Sequence, residues 1–282
     1  MRSLNFESKK PLLYLVATPI GNLDEMTPRA IEVLSNADLI ACEDTRNTGK
    51  LLSFFDISKP LISLREHNEM EASDKVVKAL LEGKSVAYVS DAGYPCISDP
   101  GARLAKVCLE NNINISAISG PNAALNALVA SGLASDHFYF HGFLNAKESV
   151  RLEELRELFK RKETLIFYES PHRIQKTLID MFTILGDRKA CIARELTKKH
   201  EEYIRAGLKE LSEIDPETLK GEMVIVVEGS LGELKPNVNN DEIISMVENL
   251  VESGLSTKDA IKQVSEITRI NKNYIYKIFH VN

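Results

Sequence analysis

Short apolar segments alternate with amphipathic stretches through the first half of the chain, and this alternation constrains the fold more than any other feature. Each apolar segment is short, rich in β-branched residues and bounded by turn residues, which is typical of a buried strand. The four segments are Leu12–Thr18, Leu39–Cys42, Val86–Ser90 and Ile113–Ser119. Helical patterns lie between them, and one begins at Thr27, an N-cap residue followed by Pro28. This order predicts a mostly parallel sheet with helices on both faces.

The same alternation starts again after Gly132 and predicts a second α/β domain. Its strand-like segments are Phe138–Phe143, Leu165–Tyr168, Lys189–Arg194 and Met223–Val227. The segment Gly229–Asn240 contains Gly, Pro, Asn and Glu with little apolar content, which is typical of a linker. Three short amphipathic helices follow, the last two joined by a tight turn, as in a helix-turn-helix unit. We therefore predict α/β domains at residues 1–120 and 121–230, a linker at 231–240 and a helical domain at 241–282.

Composition argues against several protein classes. No apolar run approaches the roughly 20 residues that cross a bilayer, and the first ten residues lack the apolar core of a signal peptide. The four cysteines are scattered, and no spacing of His, Cys and Asp suggests a metal site. Isolated thiols suit a reducing compartment. We expect a cytoplasmic protein without a membrane segment or a bound metal.

Ligands of open parallel sheets bind at the loops that follow the carboxyl ends of the strands. The first such loop, Thr18–Asp24, has a single glycine, and the chain contains neither the dinucleotide-binding nor the phosphate-binding glycine motif. This loop can be interpreted in two ways. It either lies against a flat, largely uncharged ligand or is an ordinary turn between a strand and a helix. The small residues of Ser119–Ala124 allow a ligand to approach the backbone, whereas Lys220–Met223 is either a fourth ligand loop or a simple turn.

The longest of these loops is Ser90–Gly101, which contains two Asp, two Gly and two Pro. Long polar loops at this edge of a sheet are commonly functional. Asp99 and Pro100 are predicted to start the next helix, with Asp99 as its N-cap. Asp91 has no such structural role, so we expect it to accept hydrogen bonds from the amine of an amino-acid-like ligand.

Seven motifs follow one another along the chain. They are Thr18–Leu23, Cys42–Arg46, His67–Glu69, Ser90–Gly101, Phe167–Arg173, Ala193–Lys198 and Lys220–Met223. Together they resemble the motifs of the ribosomal RNA small subunit methyltransferase I family, which belongs to the tetrapyrrole-methylase-like class of S-adenosylmethionine enzymes. The resemblance runs from about Leu13 to the C-terminus. The chain departs from the family pattern at Tyr94, where Thr is expected, and at Ser119, where Pro is expected.

The resemblance implies two α/β domains with S-adenosylmethionine in the cleft between them, and a homodimer. It also implies 2′-O-methylation of a cytidine in the decoding region of 16S ribosomal RNA. By position, the implied cofactor contacts are Pro19, Ile20, Gly21, Asn22, Ser90, Asp91, Ala92, Gly93, Ile97, Ser119, Gly120, Pro121, Tyr168, Gly221, Glu222 and Met223. The two departures from the family pattern leave the glycines of these loops intact.

A ribose 2′-hydroxyl is a poor nucleophile, so such an enzyme must position it and provide a group that accepts its proton. The candidates for the proton acceptor are Glu43, Asp44, His67, Glu169, His172 and Glu195. The catalytic residues that we predict are Glu169, His172, Arg194, Glu195 and Lys198. A positive charge from Arg194 or Lys198 would lower the pKa of the hydroxyl. Glu169 has a structural alternative, because the following Ser170 and Pro171 are typical of an N-cap and the first position of a helix.

Substrate contacts are predicted for two groups of residues. The α/β domains contribute Glu43, Asp44, Arg46, His67, Asn68 and Arg173, and the C-terminal domain contributes Lys258, Lys262, Arg269, Lys272 and Lys277. Asp44 also fits a helix cap, and Arg46 fits an ion pair with a neighbour. The C-terminal cations are accompanied only by Asp259 and Glu266, which fits contact with RNA phosphates, although helix-turn-helix units also bind proteins.

Two other functions fit parts of the sequence. A methyltransferase acting on a tetrapyrrole or another small molecule would not need the C-terminal helical unit. A non-enzymatic regulator that senses a ligand and binds nucleic acid would not need so elaborate a set of polar loops. We therefore expect an S-adenosylmethionine-dependent enzyme whose partner is 16S ribosomal RNA within the small ribosomal subunit.

Overall fold

The computed structural model describes residue 5 and residues 11–231, 240–252, 255–268, 270 and 272–280. The chain divides into two compact units, Met1–Gly229 and Ser230–Asn282. Two five-stranded sheets lie in the first unit and three helices in the second, so the predicted α/β architecture with a small helical C-terminal region is confirmed. Arg269 and most of the predicted linker, residues 232–239, lie outside the described residues.

The first sheet is parallel throughout, as predicted. Its strands are β1 (Leu12–Val16), β2 (Leu39–Cys42), β3 (Leu61–Ser63), β4 (Val86–Val89) and β5 (Asn114–Ile118). Their order is β3-β2-β4-β1-β5, which makes β4 the central strand. The sequence does not predict β3, because this strand is only three residues long and partly buried.

Helices cover both faces of this sheet. They are α1 (Pro28–Asn36), α2 (Thr45–Phe54), α3 (Glu69–Leu81) and α4 (Ala102–Glu110). One core contains residues of α3 and α4 packed with Leu13 and Tyr88, and the other contains residues of α1 and α2 packed with Val89. Helix α1 begins as predicted, since the Thr27 hydroxyl accepts a hydrogen bond from the backbone nitrogen of Ala30 at 3.2 Å.

The predicted Asp-Pro start of α4 is wrong. The residue that precedes the helix is Gly101, which has a φ of 119° and no room for a Cβ against the ring of Tyr88. The carboxylate of Glu69 accepts hydrogen bonds from the backbone nitrogens of Gly101 at 2.9 Å and Arg103 at 3.1 Å. A side chain distant in sequence therefore caps the helix, and Asp99 remains in the loop before it.

The second sheet is mixed. Its strands are β6 (Phe138–Phe143), β7 (Thr164–Glu169), β8 (Lys189–Arg194), β9 (Glu202–Gly207) and β10 (Met223–Val227). In the order β6-β7-β10-β8-β9, the first pair is parallel and the other three pairs are antiparallel. Its helices are α5 (Ala123–Ser131), α6 (Glu148–Leu158), α7 (Ile174–Leu185) and α8 (Leu208–Ser212). Helix α5 packs on one face, and α6, α7 and α8 pack on the other.

The predicted start of α7 is also wrong. The helix begins at Ile174, three residues after Pro171, and a turn precedes it. The buried carboxylate of Glu169 accepts hydrogen bonds from the backbone nitrogen of Ser170 at 2.8 Å and from the Thr177 hydroxyl at 2.6 Å. Glu169 therefore fixes the start of this helix, a role that the sequence predicts for Ser170.

The described residues of the second unit form three helices, as predicted. They are α9 (Asn240–Glu252), α10 (Thr257–Thr268) and α11 (Lys272–His280). Their core contains Ile243 and Val247 of α9, Ala260 and Val264 of α10 and Ile275 of α11. None of the helices within the described ranges is long and apolar enough to cross a membrane.

A buried ion pair joins α6 to α7. The Arg151 guanidinium lies 2.7 Å from the Asp180 carboxylate and donates hydrogen bonds to the carbonyls of Asn145 and Ala146. We expect Arg151→Leu to lower the free energy of unfolding by about 3 kcal/mol, because it leaves the largely buried Asp180 charge without this partner. Urea denaturation followed by circular dichroism measures the loss.

The matched control is Arg156→Leu, since Arg156 is exposed on the same helix. We expect the free energy of unfolding to change by less than about 0.5 kcal/mol in this variant. Equal losses in the two variants would contradict the role assigned to the ion pair.

Candidate active site

A cavity of about 400 Å³ lies between the two sheets of the first unit. Loops at the carboxyl ends of β1, β2, β4 and β5 form one side of it, where ligands of parallel sheets bind. This side is lined by Ile20, Glu43, Asp91, Ala92, Gly93, Tyr94, Ile97, Ser98, Asp99, Asn122 and Ala123. The other side is lined by Phe143, Tyr168, Glu169, Ser170, Pro171, Glu195, Leu196, Lys198, Glu222, Met223 and Val224.

The loop after β1 and the loop after β4 are joined by backbone hydrogen bonds. Thr18 N donates to the Gly93 carbonyl at 2.9 Å, and Gly93 N donates to the Thr18 carbonyl at 3.0 Å. The Thr18 hydroxyl also donates to the Ser90 carbonyl at 3.3 Å. Gly93 has a φ of 74°, a conformation that strongly favours glycine. The backbone of residues 90–93 is therefore fixed at the edge of the cavity.

Asp91 has structural partners that the sequence does not reveal, so the expectation that it has no structural role is wrong. Its carboxylate accepts hydrogen bonds from the backbone nitrogen of Asp44 at 3.2 Å and from the Asn47 side-chain amide at 2.8 Å. Both donors lie at the start of α2. Asp91 is nevertheless exposed and lines the cavity, so it joins the β4 loop to α2 while facing the site.

The structure places Asp44 and Arg46 in the helix-cap arrangement. The Asp44 carboxylate accepts a hydrogen bond from Arg46 N at 2.8 Å and lies 2.6 Å from the Arg46 guanidinium and 3.3 Å from that of Arg65. The hydrogen bonds from Arg46 hold the pKa of Asp44 well below its ordinary value. Neither Asp44 nor Arg46 lines the cavity. Both were predicted to bind the substrate.

Negative charge dominates the cavity. Its lining contains one lysine, Lys198, and six carboxylates, which belong to Glu43, Asp91, Asp99, Glu169, Glu195 and Glu222. Burial and the charge of Glu43 raise the pKa of Asp99 to about 6, although a hydrogen bond from Ser90 acts in the opposite direction. Burial and the Asp91 charge raise the pKa of Glu43 as well. Such a lining favours a cationic ligand.

Asp99 is a site residue that sequence reasoning missed. An Asp-Pro-Gly sequence before a helix is typical of a helix start, which hides any second role of its carboxylate. The actual cap, Glu69, is separated from Gly101 by 32 positions, and no local pattern indicates that contact. Phe143 and Leu196 also line the cavity without a sequence signal that distinguishes them from core residues.

The loop between β8 and β9 carries two residues in a left-handed backbone conformation. Glu195 has a φ of 51° and Thr197 a φ of 67°, and neither is glycine. The Lys198 ammonium lies 2.9 Å from the Glu195 carboxylate. A Cβ at Gly221 would overlap that carboxylate, and a Cβ at Gly21 would lie 2.6 Å from Lys198 Cγ. The two glycines therefore leave the space that Glu195 and Lys198 occupy.

Three of the predicted catalytic residues are poorly placed to react with a substrate in the cavity. The side chain of Glu169 is 1% exposed, and both of its oxygens accept hydrogen bonds within α7 and its preceding turn. His172 is exposed but does not line the cavity. The Arg194 guanidinium pairs with Glu202 on the neighbouring strand and donates to the Lys220 carbonyl. Of the predicted set, Glu195 and Lys198 remain as polar groups facing the cavity.

Half of the predicted cofactor residues line the cavity. They are Ile20, Asp91, Ala92, Gly93, Ile97, Tyr168, Glu222 and Met223. A second hollow of about 340 Å³ is lined by Pro19, Gly21, Ser90 and Asp91 together with residues of α2. The remaining predicted residues, Asn22, Ser119, Gly120, Pro121 and Gly221, line neither hollow.

The departure from the family pattern at Tyr94 has a structural consequence. The Tyr94 hydroxyl accepts a hydrogen bond from Gly120 N at 3.2 Å. The Ser119 carbonyl accepts one from the Thr27 hydroxyl at 3.3 Å. Residues 119 and 120 are therefore held against the β4 loop and the start of α1, beside the cavity.

The remaining predicted substrate residues are dispersed. Glu43 lines the cavity. His67 is exposed, whereas the Asn68 side chain is bonded to the backbone of Arg65 and Ser63. Arg173 donates to the Leu144 carbonyl. In the second unit Lys258, Lys262, Lys272 and Lys277 are exposed. Across the described part of the chain, no group of three or more His, Cys, Asp or Glu residues is arranged to hold a metal ion.

Comparison with known proteins identifies the family. The family model for Tetrapyrrole (Corrin/Porphyrin) Methylases matches residues 12–212. The ribosomal RNA small subunit methyltransferase I of Bacillus subtilis is 43% identical, over 99% of this chain and 97% of that protein. The chain belongs to this methyltransferase family. The protein of the same name from Halalkalibacterium halodurans is 46% identical, over 96% of this chain and 95% of its own length. The resemblance that the seven motifs suggest is thereby confirmed.

Solved structures share the fold over about three quarters of the chain at low sequence identity. A cobalt precorrin-4 methyltransferase of cobalamin biosynthesis has a TM-score of 0.59 and 17% identity, over 77% of this chain and 94% of that chain. The uroporphyrin-III C-methyltransferase of Thermus thermophilus, in complex with S-adenosylhomocysteine, has a TM-score of 0.54 and 16% identity, over 77% and 96%. The predicted tetrapyrrole methylase fold is therefore confirmed.

The raised pKa of Asp99 predicts a pH-dependent stability. Because the folded-state pKa of about 6 exceeds the ordinary value of 3.8, the folded protein binds this proton more tightly than the unfolded chain does. The protonated carboxyl is tolerated at low pH, and its ionisation destabilises the fold as the pH rises through 6. We expect Asp99→Asn to raise the free energy of unfolding at pH 7.5 by about 1 kcal/mol, once solvent screening is allowed for. This gain should disappear near pH 4.

Urea denaturation at several pH values measures this effect. Asp74→Asn is the matched control, because Asp74 is exposed on α3 and outside the cavity lining. For this control, the change in the free energy of unfolding relative to the wild type should be the same at each pH. A pH-independent effect of Asp99→Asn would contradict the assigned environment.

Proposed function

We propose that the chain is an S-adenosylmethionine-dependent methyltransferase of ribosomal RNA, and that it methylates the 2′-hydroxyl of a cytidine in the decoding region of 16S ribosomal RNA. The observation that carries this proposal is the acidic cavity between the two sheets, in a chain that belongs to a family of ribosomal RNA methyltransferases. The position and atom of methylation come from the family resemblance.

The cavity fits S-adenosylmethionine in size and charge. Its volume of about 400 Å³ lies in the usual range for small-molecule sites. The ligand carries positive charge on its sulfonium and amine, which the carboxylates of Asp91 and Asp99 complement, while it has no phosphate that would need a glycine cradle. Apolar side chains of Ile97, Tyr168 and Met223 suit its adenine ring. When bound, the cofactor supplies an electrophilic methyl group.

The chain's own contribution to the reaction is to position the ribose and to take up its proton. The Glu195 carboxylate is the acceptor of the 2′-hydroxyl proton, because it faces the cavity and the Gly221 backbone leaves room for it. The Lys198 ammonium, 2.9 Å from that carboxylate, orients it and stabilises the developing alkoxide through its positive charge. The left-handed backbone at Glu195 and Thr197 holds the pair in place, as strained residues at functional sites often do.

Other parts of the proposal concern partners. The exposed lysines Lys258, Lys262, Lys272 and Lys277 contact the RNA phosphates, and the chain acts on 16S ribosomal RNA within the small subunit, in the cytoplasm. A homodimer is proposed from the family resemblance alone, and light scattering coupled to size-exclusion chromatography would determine it.

Methyl transfer from labelled S-adenosylmethionine tests the proposed function. The acceptors are assembled small ribosomal subunits, naked ribosomal RNA and a tetrapyrrole. We expect label in the ribosomal RNA, recovered after nuclease digestion as 2′-O-methylcytidine. Label confined to the tetrapyrrole, or absent from every acceptor despite cofactor binding, would overturn the proposal.

Variants of the proposed pair test the mechanism. We expect Glu195→Gln and Lys198→Met each to lower kcat about 100-fold, because the proton acceptor or its cationic partner is lost. Their affinity for S-adenosylmethionine, measured by calorimetry, should change little. His172→Gln is the control, since His172 lies outside the cavity lining. An equal loss of kcat in His172→Gln would contradict the assignment.

A further inference from the structure

The helices of the second unit carry charges of opposite sign. Helix α9 contains Asp241, Glu242, Glu248 and Glu252 and no Lys or Arg. Helix α11 contains Lys272, Lys277 and His280 and no Asp or Glu. Both helices pack into the same small core. An RNA backbone is therefore attracted to α11 and repelled by α9.

The charged side chains of α11 share one exposed face. With 3.6 residues per turn, Lys272, Tyr276, His280, Asn273 and Lys277 fall within an arc of about 140°. All five are exposed, whereas Ile275 on the opposite side is buried. We call Lys272, Tyr276, Lys277 and His280 the α11 face.

An aromatic ring lies between the two lysines on this face. The Tyr276 side chain is 59% exposed, and its ring packs against that of His280 with centroids 4.2 Å apart and planes tilted by 60°. The contact restricts the ring, so less entropy is lost when a second ring stacks on it. Exposed aromatic rings flanked by cations are recurrent in proteins that bind single-stranded nucleic acid.

The acidic cavity of the first unit makes a separate RNA-binding surface necessary. Its cavity is lined by six carboxylates and one lysine, and the whole chain has a net charge of −6. Phosphates near that cavity are repelled, so affinity for RNA must come from elsewhere on the chain. Helix α11 supplies positive charge without neighbouring acids on the same helix.

We propose that the α11 face binds a single-stranded segment of ribosomal RNA, with a base stacked on Tyr276 and phosphates beside Lys272 and Lys277. The inference rests on the proposed function, since it supplies the RNA contact that the acidic cavity lacks. A single strand fits better than a duplex, because paired bases are stacked on each other and A-form RNA hides its major-groove edges.

Fluorescence anisotropy of the full-length protein with a labelled oligouridine of about 12 nucleotides tests the inference. The same strand annealed to oligoadenosine is the duplex probe, and we expect the single strand to bind more tightly. Tyr276→Ala should raise Kd about 10-fold, and Tyr276→Phe, which keeps the ring, should bind as the wild type does. The double variant Lys272→Gln, Lys277→Gln should reduce the slope of log Kd against log salt by about 1.4.

Two matched controls distinguish the loss of the α11 face from the loss of any aromatic ring and from any change in net charge. Tyr274→Ala removes an aromatic ring that is 46% exposed on the same helix but outside the α11 face. The double variant Glu248→Gln, Glu252→Gln changes the net charge by as much as the lysine double variant does, but on α9. We expect Tyr274→Ala to change Kd less than twofold, and the α9 double variant to lower Kd, in the opposite direction from the lysine double variant. Helix content and melting temperature, from circular dichroism, verify that each variant is folded.

Methyl transfer to small-subunit ribosomal RNA, measured on the same preparations, separates failure of the inference from failure of the proposed function. We expect the α11-face variants to raise KM for RNA while kcat and cofactor affinity stay unchanged. Wild-type transfer with unchanged KM and Kd in these variants would overturn the inference and leave the function standing. Equal weakening by Tyr274→Ala and Tyr276→Ala would also overturn it. A wild-type protein that transfers no methyl group to ribosomal RNA would instead refute the proposed function.

Discussion

Two reciprocal hydrogen bonds between Thr18 and Gly93 hold together the loops on which the candidate site depends. They join the carboxyl ends of β1 and β4, which are neighbours in the parallel sheet. Two residues before Gly93, the Asp91 carboxylate binds the start of α2 through Asp44 and Asn47. The loops after β1 and β4 and the start of α2 are thus fixed relative to one another, and the resulting edge faces the second sheet across the cavity.

Four residues in the loops around the cavity have a strained, left-handed backbone conformation. Cys96, Ser98, Glu195 and Thr197 all have a φ between 51° and 71°, although none is glycine. The first two lie in the loop after β4 and the last two in the loop after β8, so strained residues border the cavity from both sheets. Left-handed backbone at such residues costs of order 1 kcal/mol each and persists where the surroundings impose it. Because this backbone strain lowers the stability of the fold, it supports a role of these loops in binding a ligand.

The cavity and helix α11 carry opposite charge, which separates the proposed binding of the cofactor from the proposed binding of RNA. A cavity rich in carboxylates suits a cationic cofactor and disfavours the polyanion that is to be methylated. The cationic helix α11 lies in the other unit, where it is separated in sequence from the cavity residues. Binding of the cofactor and binding of RNA are then carried by different residues, so the two can be changed independently by substitution.

Local patterns predict much of the fold and part of the site. Strand β2 and strands β6, β8 and β10 have the predicted bounds, because short runs rich in apolar residues and bounded by turn residues leave few alternatives. Strand β9 is not predicted, since it lies at the sheet edge and none of its residues is fully buried, so it has no apolar run. The partners of Asp91 lie 44 and 47 positions away, and Glu69 replaces Asp99 as a cap over a similar distance. Such contacts depend on tertiary packing, which a single sequence does not display.

Hydrogen exchange measured by mass spectrometry, with and without saturating S-adenosylmethionine, tests the central claim that one ligand binds both sheets. The account predicts slower exchange in two separate segments, residues 90–93 after β4 and residues 221–223 at the start of β10, with the same dependence on cofactor concentration. Helix α11 should exchange at the same rate with and without cofactor. Protection confined to one sheet, or absent from both segments at saturation, would contradict a site formed between them.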